Sequence, residues 1–457
     1  MATDHCSYLS IGSLGQGFSE DSLWRGVERG IDFIGADAGS VDGGPSALGG
    51  QPPPWPDASY SRDMSLLLRA ARSAGVPLLV GSCWLSGRDA GVDHFAELAR
   101  RIAGEHGLSF RMARIYSEID RDRVAGYLRD GRISPLEPVL SYDEDTIRRS
   151  DRIVGVMGVE PFQAAVDAGA DLVLAGRATD AAIFAALPIA RGFDPGLAWH
   201  AGKIAECGTG ATEPRRRLDV LHVRMERDSF VVEPLADDIR ATPFSVAAHQ
   251  LHEVADPYTM VEPGWTTDLR AARYDAVSDR AVRVTGASAV ATPYTVKIEG
   301  VERVGAQRMF LFAVRDPTIL ERIDDWMAGI RHDIETRCAE IVGADALATC
   351  RISTRVYGRD GVMGSREPEP GFAGHEACFV VDVVAPDPTV CEVATSVIWY
   401  AFMHAKSPGW RGGTTVAWPF SRPTFDVGDL FEFNANHVIA VDDPLETFRI
   451  EIEEVRG

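Results

Sequence analysis

Among 46 basic residues only Lys203, Lys297 and Lys406 are lysines; the other 43 are arginines. Arginine serves surface ion pairs and solubility as well as lysine does, but only lysine can shed its proton and present a compact point charge. Retained ammonium groups therefore mark places where a guanidinium does not serve. In "TPYTVKIEG" (292–300), strand alternation puts Thr295, Lys297 and Glu299 on one face, with Tyr294, Val296 and Ile298 on the other. Glu299, ~7 Å along that face, can tune the lysine or share proton transfer with it. The competing reading is an ion pair on a wet sheet face. Lys406 follows a helical stretch, where compensation of the helix dipole is a sufficient role.

The first lysine sits in "AWHAGKIAECGTG". On one continuous helix, His200, Lys203 and Cys207 fall within an arc of about 60°, placing an imidazole, an ammonium and a thiol on one stripe. Cys207 is then a candidate nucleophile, against the alternative of a buried packing thiol. His249, His252 and Glu253 follow in "SVAAHQLHEV". They lack a third ligand at metal spacing and read as structural; no cofactor is predicted, and a divalent metal has no motif to hold it.

Glycine-rich turns supply the remaining candidates. "SIGSLGQGFSED" places Gly12, Gly15 and Gly17 before a helix, with Glu20 and Asp21 close behind to repel a pyrophosphate. "ADAGSVDGGP" carries Asp37, Ser40 and Asp42, two carboxylates able to share acid/base work. "AGRATDAAIF" carries Arg177, suited to clamp a carboxylate, while Thr179 or Asp180 caps the next helix. Near the end, Arg411, Gly412 and Gly413 suit close approach to an anion, and Asn434 and His437 follow a strand-like run.

These positions need a scaffold. From the N-terminus to about residue 190, short continuous apolar runs alternate with amphipathic helices. Such strands are covered on both faces, so residues 1–212 read as an α/β domain with a doubly wound, mostly parallel sheet, its glycine loops at strand carboxyl ends. A TIM barrel is the alternative. After "CGTGATEPRRR" the texture turns to alternating strands with long helices near 317–341 and 388–405. Residues 213–457 therefore read as an α+β domain with a mostly antiparallel sheet.

A net charge of −21 disfavours nucleic-acid partners and leaves small anions to local cations. Seven scattered cysteines without CxxC spacing, no secretory leader pattern and no long apolar run predict a reduced, cytoplasmic, non-membrane setting.

Five segments together, "ADAGSVDGGP", "AGRATDAAIFAALPIARGFDPGLAWHAGKIAECG", "SVAAHQLHE", "PYTVKIEG" and "LFEFNANHVIAVDDPLETFRIE", resemble the acyclic terpene utilisation (AtuA-like) family. The resemblance implies a place in bacterial catabolism beside acyl-CoA carboxylases and enoyl-CoA hydratases. It also implies a small partner subunit in trans, because many relatives carry or neighbour a short extra C-terminal domain. One departure is "GSCWLSGRD" after the third strand, where Trp84 is expected to narrow a pocket.

The combined expectation is a homo-oligomeric catabolic enzyme for a small carboxylate or CoA thioester, with its pocket between the two domains. Lyase or hydratase chemistry would use Lys297 or an acid such as Asp42 to take a proton next to a carbonyl. Arg177, Lys203 and the Gly12–Gly17 turn would stabilise the enolate-like charge. Hydrolysis or acyl transfer through Cys207 is one alternative. A non-catalytic, partner-binding subunit of an acyl-CoA-processing complex is the other.

Overall fold

The structure is a computed structural model that describes residues 4–40, 43–52, 55–215, 218–369, 374–407, 416–419, 421 and 423–457. Asp42, Arg411, Gly412 and Gly413 lie outside the described residues.

The chain is a mixed α/β protein with a parallel sheet in its first half and a later region of sheet and helix. It forms two compact units, residues 1–302 with 433–457, and residues 303–432. The first unit is built on a ten-stranded sheet. Its centre is parallel: β1 (Cys6–Ser13), β2 (Phe33–Asp37), β3 (Leu78–Gly81) and β4 (Ser109–Tyr116), with Leu172–Ala175 inserted between β3 and β4. Antiparallel strands flank it: Arg449–Arg456 beside β4, and Leu221–Met225 and Ser229–Pro234 on the β1 side.

Adjacent residues show why the central runs are continuously apolar. Tyr8, Phe33 and Leu79 enter a core with Phe162, Phe184 and Trp199, whereas Leu9, Ile34 and Val80 enter one with Leu67 and Phe95. Each strand thus feeds helices on both faces and has no wet side. Two segments depart from the sequence reading. Arg152–Val156 leaves the parallel sheet to pair antiparallel with the strand carrying Lys297, and the first strands after residue 213, Leu221–Met225 and Ser229–Pro234, extend the first sheet instead of starting a separate one. Backbone pairing across distant segments decides both, and local periodicity does not encode it.

The Lys297 strand runs unbroken over Thr295–Val314. In the second unit its later residues pair antiparallel with Ala377–Ala385, which pairs in turn with Arg351–Tyr357. Helices Ile323–Val342 and Pro388–His404 bury Phe310, Phe312 and Phe379 against that sheet. No helix among the described residues is long and apolar enough to cross a membrane.

Candidate functional site

The carboxyl ends of the parallel strands converge, as expected for ligand sites in open α/β sheets. Asp37 closes β2, Ser82 follows β3, Ser117 follows β4, and Arg177 lies two residues past Leu172–Ala175. Their loops interlock through Ser117, whose Oγ donates to the Gly87 carbonyl (2.9 Å) and accepts from the Arg177 amide (2.8 Å). Gly87 has φ +67°, and a Cβ there would run into the Arg177 backbone nitrogen. Ser82, Trp84 and Leu85 also hold left-handed φ values of 49°, 52° and 73°, an accumulation of strain typical of sites that demand a fixed shape.

Arg177 is the hub. Its Nε donates to Glu299 Oε2 at 3.0 Å, and its Nη1 donates to Ser82 Oγ (3.2 Å), the Ala178 carbonyl (3.0 Å) and Asp180 Oδ1 (3.4 Å). Lys297 Nζ donates to the other oxygen, Glu299 Oε1, at 2.9 Å, so the predicted shared face of Lys297 and Glu299 is realised. Burial alone would raise the Glu299 pKa, but the charges of Arg177 and Lys297 pull it down to about 2. Arg177 stays charged because Glu299, Asp180 and Asp37 outweigh its desolvation. Lys297 stands at the rim with 44 % of its side chain exposed.

A second group of acids behaves in the opposite way. Lys203 donates to Glu206 inside the protein, three residues on. Burial, with Asp180 nearby, nevertheless raises the Glu206 pKa to about 8 against the pull of Lys203. Desolvation, with Asp180 adding to it, brings Glu262 to about 7 despite its hydrogen bond with Thr179. Asp37 is raised by burial and then by Asp180, and Glu206 adds to this. Asp37 and Glu262 both keep some surface open to solvent. These raised carboxyl groups share Asp180 as a neighbour, and Asp180 pairs with Arg177, the partner of the depressed Glu299. Such divergence between neighbouring acids is what acid/base chemistry needs.

Other predicted residues are placed differently. Helix Pro195–Ala205 ends before Cys207, so the projected stripe breaks. His200 turns into the core against Phe230 and Tyr274, and burial pushes its pKa down to about 3. Burial, with Glu206 and Asp37 next, raises the Cys207 thiol to about 12 and leaves it unactivated. Thr179 is the N-cap of helix Asp180–Ala190, accepting from the Ala182 amide at 3.3 Å. Ser40 lies three residues past Asp37 in the same loop.

The glycine turn spends its amides internally. Gly15 and Gly17 both donate to Asp63 Oδ2, and Gly12 donates to Ser10 Oγ, so these N–H groups are not available to an enolate. Gly12 has a packing reason instead: a Cβ there would lie 2.7 Å from the Cys207 carbonyl carbon. Asn434 bonds Ser150 and Glu302, and His437 stacks on Tyr142. The Trp84 ring lies on His94.

Sequence reasoning passed over Ser82, Glu206 and Glu262. Glu206 carried a usable signal, its i+3 spacing from a rare lysine, whereas Glu262 closes a short strand (Thr259–Glu262) whose position only the fold reveals. No group of three or more His, Cys, Asp and Glu side chains among the described residues is arranged to hold a metal ion.

The family described as "Acyclic terpene utilisation family protein AtuA" matches residues 69–217 and 228–430. No curated protein and no solved structure matches the chain.

Proposed function

Because the chain belongs to the acyclic terpene utilisation family AtuA, and so has a role in acyclic terpene catabolism, we propose that it is an enzyme acting on a small carboxylic acid or its CoA thioester. The reaction class is lyase or hydratase, with proton abstraction next to a carbonyl. The observation that carries this reading is a chain of charged contacts at the strand ends: Arg177 and Lys297 each hold one oxygen of Glu299, Arg177 reaches Asp180, and Lys203 pairs with Glu206, which burial pushes upward together with Glu262.

An acid whose pKa lies close to the working pH is both a competent base when ionised and a competent donor when protonated. In the proposed step Glu206, in its ionised form, takes the proton α to the substrate carbonyl. Lys203 balances the charge on Glu206, and Arg177 and Lys297 face the negative charge that develops on the substrate oxygen. Glu262 returns a proton to the leaving or adding oxygen. Glu299 serves as a positioning residue that fixes both Arg177 and Lys297. Lys297 thus enters as a point charge at the rim, and the proton moves through the buried acids. The unactivated thiol of Cys207 supports this route over hydrolysis or acyl transfer.

A ligand-stabilisation screen of short branched carboxylates and CoA thioesters, with and without Mg²⁺, identifies the substrate class, because stabilisation grows with ligand excess over Kd. With a turned-over ligand in hand, Glu206→Gln is expected to lower kcat by about 10²–10⁴-fold while the fold is kept. Cys207→Ser is expected to leave kcat unchanged. Full activity in Glu206→Gln would refute the proposal.

A further inference from the structure

We propose that Arg88 and Arg152 together form an anion site for a phosphoryl group, on the substrate or on the carrier attached to it. This deepens the reading above and rests on it only for the identity of the carrier.

Arg88 immediately precedes helix Asp89–His106 and follows Gly87, whose backbone abuts that of Arg177. Its guanidinium is half-buried and forms no hydrogen bond or ion pair among the described residues. Arg152 lies close by. Its Nη1 donates to the Gly49 carbonyl at 3.1 Å, and its Nε faces Glu118 Oε1 at 3.9 Å. A Cβ built at Gly50 would come within 3.3 Å of Arg88 Nη1, so both guanidiniums border the same Gly49–Gly50 turn.

Like charges gathered on a partly buried surface oppose folding unless a counter-charge joins them. Burial first, then Arg152, lowers the Arg88 pKa, and Glu118 offsets this only in part. In a chain of net charge −21, an unpaired guanidinium beside a second one is a local exception with a cost. A single guanidinium satisfies a carboxylate bidentately. Two of them with free N–H groups, on a turn of glycines that lets a ligand approach the backbone, fit an anion with more oxygens and more charge, as a phosphoryl group has.

The position fits the proton-transfer cluster. Arg152 pairs across the ladder with Val301, and two residues on Val154 pairs with Glu299. Arg152 therefore shares a sheet face with Glu299 and Lys297, displaced along the strand by ~7 Å from Glu299 and ~14 Å from Lys297. A substrate with its carbonyl at Arg177 could extend its phosphorylated end toward Arg88.

Calorimetric titration of the full chain with inorganic pyrophosphate, coenzyme A, an acyclic terpenyl diphosphate and acetate tests the site. Pyrophosphate is expected to bind, Arg88→Gln and Arg152→Gln each to weaken it at least tenfold, and Arg88→Lys to recover part of the loss. Acetate affinity should not respond to Arg88→Gln. Matching circular dichroism and Tm establish that the variants are folded. Coenzyme A or the terpenyl diphosphate, whichever binds more tightly than pyrophosphate, identifies the source of the phosphoryl group. Absence of phosphate binding, or affinities unchanged in both glutamine variants, overturns the site; neither organic ligand exceeding pyrophosphate overturns its link to substrate. Because the readout is binding without turnover, this failure is separate from a failure of Glu206→Gln.

Discussion

Arg177 Nε and Glu299 Oε2 meet at 3.0 Å with their side chains only 10 % and 5 % exposed, tying the end of a parallel strand to the strand that carries Lys297. A buried pair contributes little beyond an apolar substitute, yet losing one partner strands the other charge without water. Glu299→Ala is therefore expected to lower the unfolding free energy by about 3–5 kcal/mol in urea titrations. A loss below about 1 kcal/mol, the range of exposed pairs, would mean that solvent reaches Arg177 far more freely than its burial indicates.

The two acid environments predict opposite pH responses. Glu299 is depressed from 4.5 to about 2, so its contribution is complete above pH 4.5 and is lost as pH falls toward 2. Glu206 is raised from 4.5 to about 8, so its contribution is complete below pH 4.5 and is lost as pH rises through 8. Stability measured across pH should lose part of its acid-side slope in Glu299→Gln and part of its slope between pH 4.5 and 8 in Glu206→Gln. Parallel curves for wild type and both variants would remove the electrostatic basis of the site.

What the sequence made legible follows from which signals are local. Alternation placed Lys297 beside Glu299, and the strand–helix punctuation around Arg177 marked a strand end with Thr179 or Asp180 as the cap, of which the fold uses Thr179. Helical projection failed at Cys207 because helix Pro195–Ala205 stops two residues short of it, and failed at His200 because an inward-facing imidazole and an inward-facing ligand look alike in sequence. The raised acids were illegible for a different reason. Glu206, Glu262 and Asp37 acquire their pKa shifts from desolvation and from Asp180, relations between segments far apart in the chain. Gly15 and Gly17 looked like anion donors, and only the fold reveals that Asp63 already takes them.

Gly87 offers a test of loop interlocking that touches no ionisable group. Its φ of +67° disfavours any side chain, and a Cβ would overlap the Arg177 backbone, which has no flexible end to yield. Gly87→Ala is expected to cost about 2–4 kcal/mol, combining the left-handed penalty with overpacking. Thermal unfolding should register a lower Tm, and Arg177-dependent ligand binding should weaken with it. A neutral Gly87→Ala would imply that the loops after β3 and Leu172–Ala175 are not held together as described.

Lys297 decides between a proton carrier and a fixed charge. Its ammonium pairs with a carboxylate pulled down to about 2, and almost half of its side chain is in water. Its removal in Lys297→Ala should cost under about 1 kcal/mol of stability, as for other exposed partners, while weakening a carboxylate or thioester ligand about tenfold. Lys297→Arg keeps the charge, so ligand affinity and kcat are expected to stay within about threefold of wild type, well short of the roughly 10²-fold that loss of a general base brings. A folded Lys297→Arg variant that binds normally but has lost turnover would transfer the proton-carrying role from the buried acids back to the lysine.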